Sequence, residues 1–98
     1  MLETLTREQF AQCLATTFQV VDEPDARFGL VLTDVSELKT GHGQESFSLL
    51  FRGPGERFMP QAIHRLRHDR LGELDIFLVP VGRDENGFQY EAVFNRLV

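Results

Sequence analysis

Between Glu45 and Phe94 the chain carries four short apolar runs, set apart by Gly, Pro, Asn and Asp at the spacing of a meandering antiparallel sheet. This pattern constrains the fold more than any other feature. Phe47, Leu49 and Phe51 alternate with Ser46, Ser48 and Leu50, and Gly53-Pro54-Gly55 ends that run. Ala62, His64, Leu66 and His68 then alternate with Ile63, Arg65 and Arg67, up to a tight turn at Leu71-Gly72. Ile76, Phe77, Leu78 and Val79 are consecutive, which predicts a strand covered on both faces. Pro80 places the end of that strand at an edge or a bulge, because proline cannot donate to the ladder. Asn86-Gly87 suits a hairpin with positive φ, and Phe88, Tyr90, Ala92 and Phe94 line the last strand.

The first half reads differently. Thr6 is a good helix N-cap with Gln9 three residues on, and Leu5 and Phe10 stand at the hydrophobic-staple positions. Phe10, Cys13 and Leu14 form a stripe at helical spacing, so a helix is predicted over about 6–16. The period then changes to two. Phe18 and Val20 open a strand over 17–21, Glu23-Pro24-Asp25 breaks the chain, and Phe28, Leu30 and Leu32 alternate over 27–35. Lys39 to Gly43 has two glycines and no apolar residue, and is expected to be a loop.

With further strands at 45–52, 61–68, 73–81 and 87–95, six strands and one helix occupy 98 residues. This is a mainly β (α+β) single domain: a small six-stranded antiparallel barrel, or a two-sheet sandwich. Crossovers long enough for parallel pairing are absent. The helix is expected to plug one open end or to cover the outside of the strand over 73–81.

The net charge of −5 disfavours nucleic acid and anionic membranes as partners. Residues 1–49 carry three bases and eight acids, whereas residues 50–98 carry seven of each. The local basic excess is Arg52, Arg57, Arg65, Arg67 and Arg70. A single cysteine allows no internal disulfide. With no leader-like segment and no apolar run near the roughly 20 residues of a membrane span, a cytoplasmic protein is expected.

No catalytic constellation, metal-ligand set or phosphate loop stands out, so neither catalysis nor a cofactor is expected. His64 and His68 are spaced H-x-x-x-H. On a strand that spacing covers about 13 Å, too far for one ion, and a barrel mouth or solvated face suits the pair better. Arg65, Arg67 and Arg70 suit an anionic ligand or acidic surface, or else pair across strands with Glu73 and Asp75. Ser46, Ser48, His42 and Asp34 lack the Gly-flanked elbow of a hydrolase nucleophile. Cys13 lies on the helix stripe and reads as buried and inert. His42, between two glycines, marks the Lys39–Glu45 segment as the element able to reach a ligand or partner, or simply as a hairpin connection. Leu50, Val31, Phe77, Val79 and Val93 fall opposite the main alternation, and are either covered by the helix or left as a dimer patch.

Glu45 to Pro54, Leu71-Gly72-Glu73-Leu74, Phe77 to Gly82 (F-L-V-P-V-G), Tyr90 to Asn95 (Y-E-A-V-F-N) and the opening Leu5 to Phe10 (L-T-R-E-Q-F) resemble a family of small bacterial domains of unknown function. The likeness runs from about Leu5 to Asn95. His64 departs from it, where look-alikes tend to have Tyr. The resemblance brings no activity and no catalytic residues. It implies an assembly or accessory role, beside bacterial genes that resemble phage-tail or collar components. The leading expectation is therefore a protein-binding or assembly domain that self-associates. The alternative is a small-ligand-binding barrel with His64, Arg65 and Arg67 at its mouth.

Overall fold

The computed structural model of the protein describes residues 5–21 and 28–97. The break at Glu23-Pro24-Asp25 and the first residue of the expected strand at Arg27 lie outside them. The helix α1 spans Arg7–Ala11. Thr6 caps it as a capping box: Thr6 Oγ1 accepts from the Gln9 N–H at 3.2 Å, and Gln9 Oε1 accepts from the Thr6 N–H at 2.8 Å. The helix stops well short of the expected Thr16. Ala15 takes a left-handed φ of 65°, and its N–H donates to the Leu32 carbonyl at 2.8 Å. A tertiary bond thus captures the chain and turns it into a strand. Phe10 and Cys13 are buried, whereas Leu14, beyond the last helical turn, is exposed.

The strands are β1 (Thr17–Val20), β2 (Gly29–Val35), β3 (Lys39–Gly41), β4 (Gln44–Gly53), β5 (Ala62–His68), β6 (Gly72–Asp84) and β7 (Gly87–Leu97). All pairings are antiparallel, in the order β2-β1-β5-β6-β7-β4-β3. A further pairing of β2 with β4, through Val31↔Arg52 to Val35↔Leu49, closes six strands into a barrel. Of the two expected architectures, the barrel is the one that forms. The expected bulge appears at Pro80/Gly82, where the β6–β7 register shifts.

Of the two expectations for Lys39–Glu45, the hairpin connection is the one that forms, and it adds a short strand, β3, where a loop was expected. His42 (φ 53°) and Gly43 (φ 73°) form a two-residue turn with both φ positive, the turn whose twist matches the flanking strands. Turn chemistry makes this hairpin, and burial plays no part in it, because Lys39 to Gln44 are all exposed. With the outer ends of β4 and β7, paired as far as Gln44↔Leu97, it forms a tongue beyond the barrel.

The interior is filled by side chains, as in other narrow barrels. Phe18, Leu30, Leu32, Leu49, Phe51, Leu66, Ile76, Leu78 and Tyr90 are all buried in it. At the tongue end, α1 lays Phe10 against Phe94 and Phe47, with ring centroids at 5.5 and 6.1 Å. The helix thus plugs a mouth and leaves the outside of β6 bare. Residues 54–61 close the opposite mouth with Met59, whose N–H donates to the Tyr90 hydroxyl at 3.0 Å. Gly87 holds the β6–β7 turn there at φ 125°, and a Cβ on it would collide with the Gly53 carbonyl.

Candidate functional site

Alternation along β5 and β6 sets their outer face. Leu66, Leu74, Ile76 and Leu78 point inward, which sends Ile63, Arg65, Arg67, Glu73, Asp75 and Phe77 outward. The expectation that β6 is covered on both faces does not hold. Phe77 is 50% exposed and Ile63 66%. They stand directly opposite each other across β5 and β6. Half-buried Val79 follows on β6, facing Glu91, and Glu91 in turn faces half-buried Leu50 on β4. Val93, 58% exposed, continues the apolar surface along β7, and Val81 is also exposed on β6. Four of the predicted interface residues (Leu50, Phe77, Val79 and Val93) therefore lie on one side of the sheet. Ile63 and Val81 join them. Ile63 was legible as the apolar member of the Ile63-Arg65-Arg67 alternation.

Two charge pairs flank this surface. Arg65 faces Asp75 in register and holds it with two bonds: Nε to Oδ1 at 2.9 Å and Nη2 to Oδ2 at 3.2 Å. Arg67 faces Glu73, with Nη2 to Oε2 at 2.7 Å. The hydrogen bonds from the guanidinium groups hold both carboxylates below their ordinary pKa. This is the cross-strand pairing anticipated as the alternative to an anion site.

Of the two expectations for the histidines, a mouth fits their positions and a solvated face does not. Both point inward and are buried, because they share the register of Leu66. His64 Nε2–H donates to the Pro60 carbonyl at 3.0 Å, near the loop-closed mouth. His68 lies near the helix-closed mouth, with its ring 4.3 Å from that of Phe18. Its Nδ1 accepts from the Arg70 N–H at 3.0 Å. Its Nε2 carries the proton and donates to Thr16 Oγ1 at 2.8 Å, and the hydroxyl passes the chain on to the Cys13 carbonyl. Burial holds His68 below its ordinary pKa; Asp69 opposes the shift and Arg70 reinforces it. Burial likewise pushes the Cys13 thiol up, against an opposing influence from Arg70.

The proposed ligand group therefore does not assemble. His64 is inside, Arg65 and Arg67 are outside, and His42 sits at the exposed tip of the β3–β4 turn, with β6, β7 and β4 between it and β5. Beside His68, Thr17, Gln19, Arg67 and Arg70 line an open cleft of about 350 Å³, in which Asp69 also stands. Ser46 and Ser48 occupy ordinary outward positions on β4, and the Ser48 N–H donates to Ser36 Oγ at 2.8 Å. Among the described residues, no group of three or more His, Cys, Asp or Glu is placed to hold a metal ion. No helix among them is long and apolar enough to cross a membrane.

A small closed antiparallel barrel with a helical plug is the class the geometry defines. The chain belongs to the family described as "Domain of unknown function (DUF6916)", whose profile matches residues 5–94. The family resemblance read from the sequence motifs agrees with this. No curated protein and no solved structure matches the chain.

Proposed function

We propose that this domain is a non-enzymatic protein-binding or assembly module working in the cytoplasm, with the outer face of β5, β6 and β7 as its contact surface. The observation that carries this reading is the uncovered apolar row of Ile63, Phe77, Val79 and Val93 on a barrel whose helix is used elsewhere. Buried apolar area is the main driving force of association, and exposed aromatic and branched side chains on a rigid sheet lose little entropy when they dock. The likeness to domains found beside phage-tail-like components extends the reading to an accessory role in such an assembly. Cross-linking and mass spectrometry in the native cell test it. The wild-type domain is expected to yield cross-linked protein that a Phe77→Asp/Val93→Asp variant loses while remaining folded. Equal cross-linking by the two proteins would refute the assignment of this face.

A second reading, small-ligand binding, draws its support from the polar cleft beside His68. It would use the outside of the barrel, since the interior is filled. Native mass spectrometry of the purified protein tests it: a co-purified small molecule supports it, and a bare chain mass counts against it.

A further inference from the structure

We infer that the partner for this face is a second copy of the same chain, seated about a two-fold axis that runs along the seam between β5 and β6; this rests on the assembly reading above. The inference comes from the row order of the outer face. Each row across the seam is either two apolar residues or one base beside one acid: Ile63 with Phe77, Arg65 with Asp75, Arg67 with Glu73. The bases all stand on β5 and the acids all on β6. A two-fold parallel to the strands and above the seam lays the β5 of one copy over the β6 of the other, row for row. Ile63 then meets Phe77, Arg65 meets Asp75 and Arg67 meets Glu73, in both directions at once. Each row becomes a square of alternating charge or a wholly apolar contact. This self-complementarity is what an isologous interface requires.

The competing axis, in the plane of the face but across the strands, stacks β5 on β5 and β6 on β6. Centred on the Arg65–Asp75 row, it sets Arg65 on Arg65 and Asp75 on Asp75, and drives Arg67 onto Ile63. Like charges meeting across an interface disfavour that arrangement. A partner of uniform charge is disfavoured by the same rows, because an acidic surface meets Asp75 and Glu73 beside every arginine, and a basic one meets Arg65 and Arg67. The flanking residues fit as well. Val79 extends the apolar end of the seam, and the exposed guanidinium–carboxylate pairs form a polar rim at the other.

Charge exchange tests the register of this contact. R65D/R67E makes the face wholly acidic, and E73R/D75R makes it wholly basic. Sedimentation velocity at high micromolar concentration and low salt is expected to show a wild-type dimer, and monomers for each variant alone, with self-association weakened about tenfold or more. Mixing the two variants in equal amounts is expected to restore a dimer, which native mass spectrometry reads as one copy of each. Circular dichroism reports whether the variants are folded, and the wild-type measurement stands whether or not they are. A monomeric wild type overturns the inference. So does undiminished self-association of either folded variant, or a mixture of the folded pair that stays monomeric. A monomeric wild type that still cross-links another protein through Phe77 overturns the second copy as partner and leaves the assembly reading standing. Loss of both results removes both.

Discussion

The two mouths of the barrel are closed by unlike means, and their anchors respond to opposite ends of the pH scale. The tongue-end mouth is plugged by α1, which lays Phe10 against the stacked pair Phe47 and Phe94 and is tied down by the chain His68–Thr16–Cys13. Among the described residues, no regular element lies over the far mouth. Met59 fills it, and the Tyr90 hydroxyl holds the loop by accepting from the Met59 N–H and donating to the Arg57 carbonyl. Both plugs bury an apolar side chain, Phe10 at one mouth and Met59 at the other. The difference is that a neutral imidazole anchors one and a neutral phenol the other. A barrel this narrow therefore needs something apolar at each end and a buried polar group to orient it, and secondary structure is optional.

The most severe way to break the comparison is Phe10→Ala. It removes the helix-side plug, and a loss of about 3–5 kcal/mol is expected from the urea midpoint at constant slope. Tyr90→Phe, at the other mouth, keeps the ring and strands the buried Met59 N–H. About 1–3 kcal/mol is expected, the cost of an unsatisfied buried donor.

Titration sharpens the contrast. The folded-state pKa of His68 lies below its unfolded value, so the unfolded chain binds the extra proton first. Stability from His68 is complete above the unfolded pKa of about 6.5 and is lost as pH falls from there through the folded value. The slope is at most about 1.4 kcal/mol per pH unit for one proton. Burial raises Tyr90, with the Met59 hydrogen bond opposing it, so the sign reverses. Its contribution is complete below an unfolded pKa of about 10 and is lost as pH rises through the folded value. Urea titrations across pH 5–7 are expected to show the acid-side slope in wild type and a reduced one in His68→Gln. The Glu73 and Asp75 carboxylates, held low by arginine, act only in a separate window, from their unfolded values near 4 downward. An acid-side slope unchanged by His68→Gln would assign the effect elsewhere.

The smallest effect concerns how α1 reaches its mouth. Ala15→Gly relieves a left-handed φ that costs an alanine about 1 kcal/mol or more, and part of the gain returns as unfolded-chain entropy. A net stabilisation of about 0.5 kcal/mol is expected from the same urea curves.

Much of this was readable along the chain. The Phe47-Leu49-Phe51 and Tyr90-Ala92-Phe94 alternations predicted strands close to those observed, Thr6 and Gln9 predicted the helix start, and Pro80 predicted the bulge. Each rests on residues a few positions apart. The end of α1 was not readable, since it is decided by a bond from Ala15 to Leu32. The hairpin connection at Lys39–Glu45 was legible, but the strand β3 was not, because a His42-Gly43 turn organises it without any burial. The mouth reading of the histidines agrees with where they lie, whereas the solvated-face reading does not, because they share the inward period of Leu66.

Taken alone, the order of residues determined which segments are strands, where they turn and which side chains share a face, because those depend on local geometry and a period of two. Only the tertiary structure decided that β2 returns to β4 to shut the barrel, and that α1 stops a mouth and leaves β6 bare. Those outcomes depend on pairings between distant segments, which close only when the whole sheet has curled upon itself.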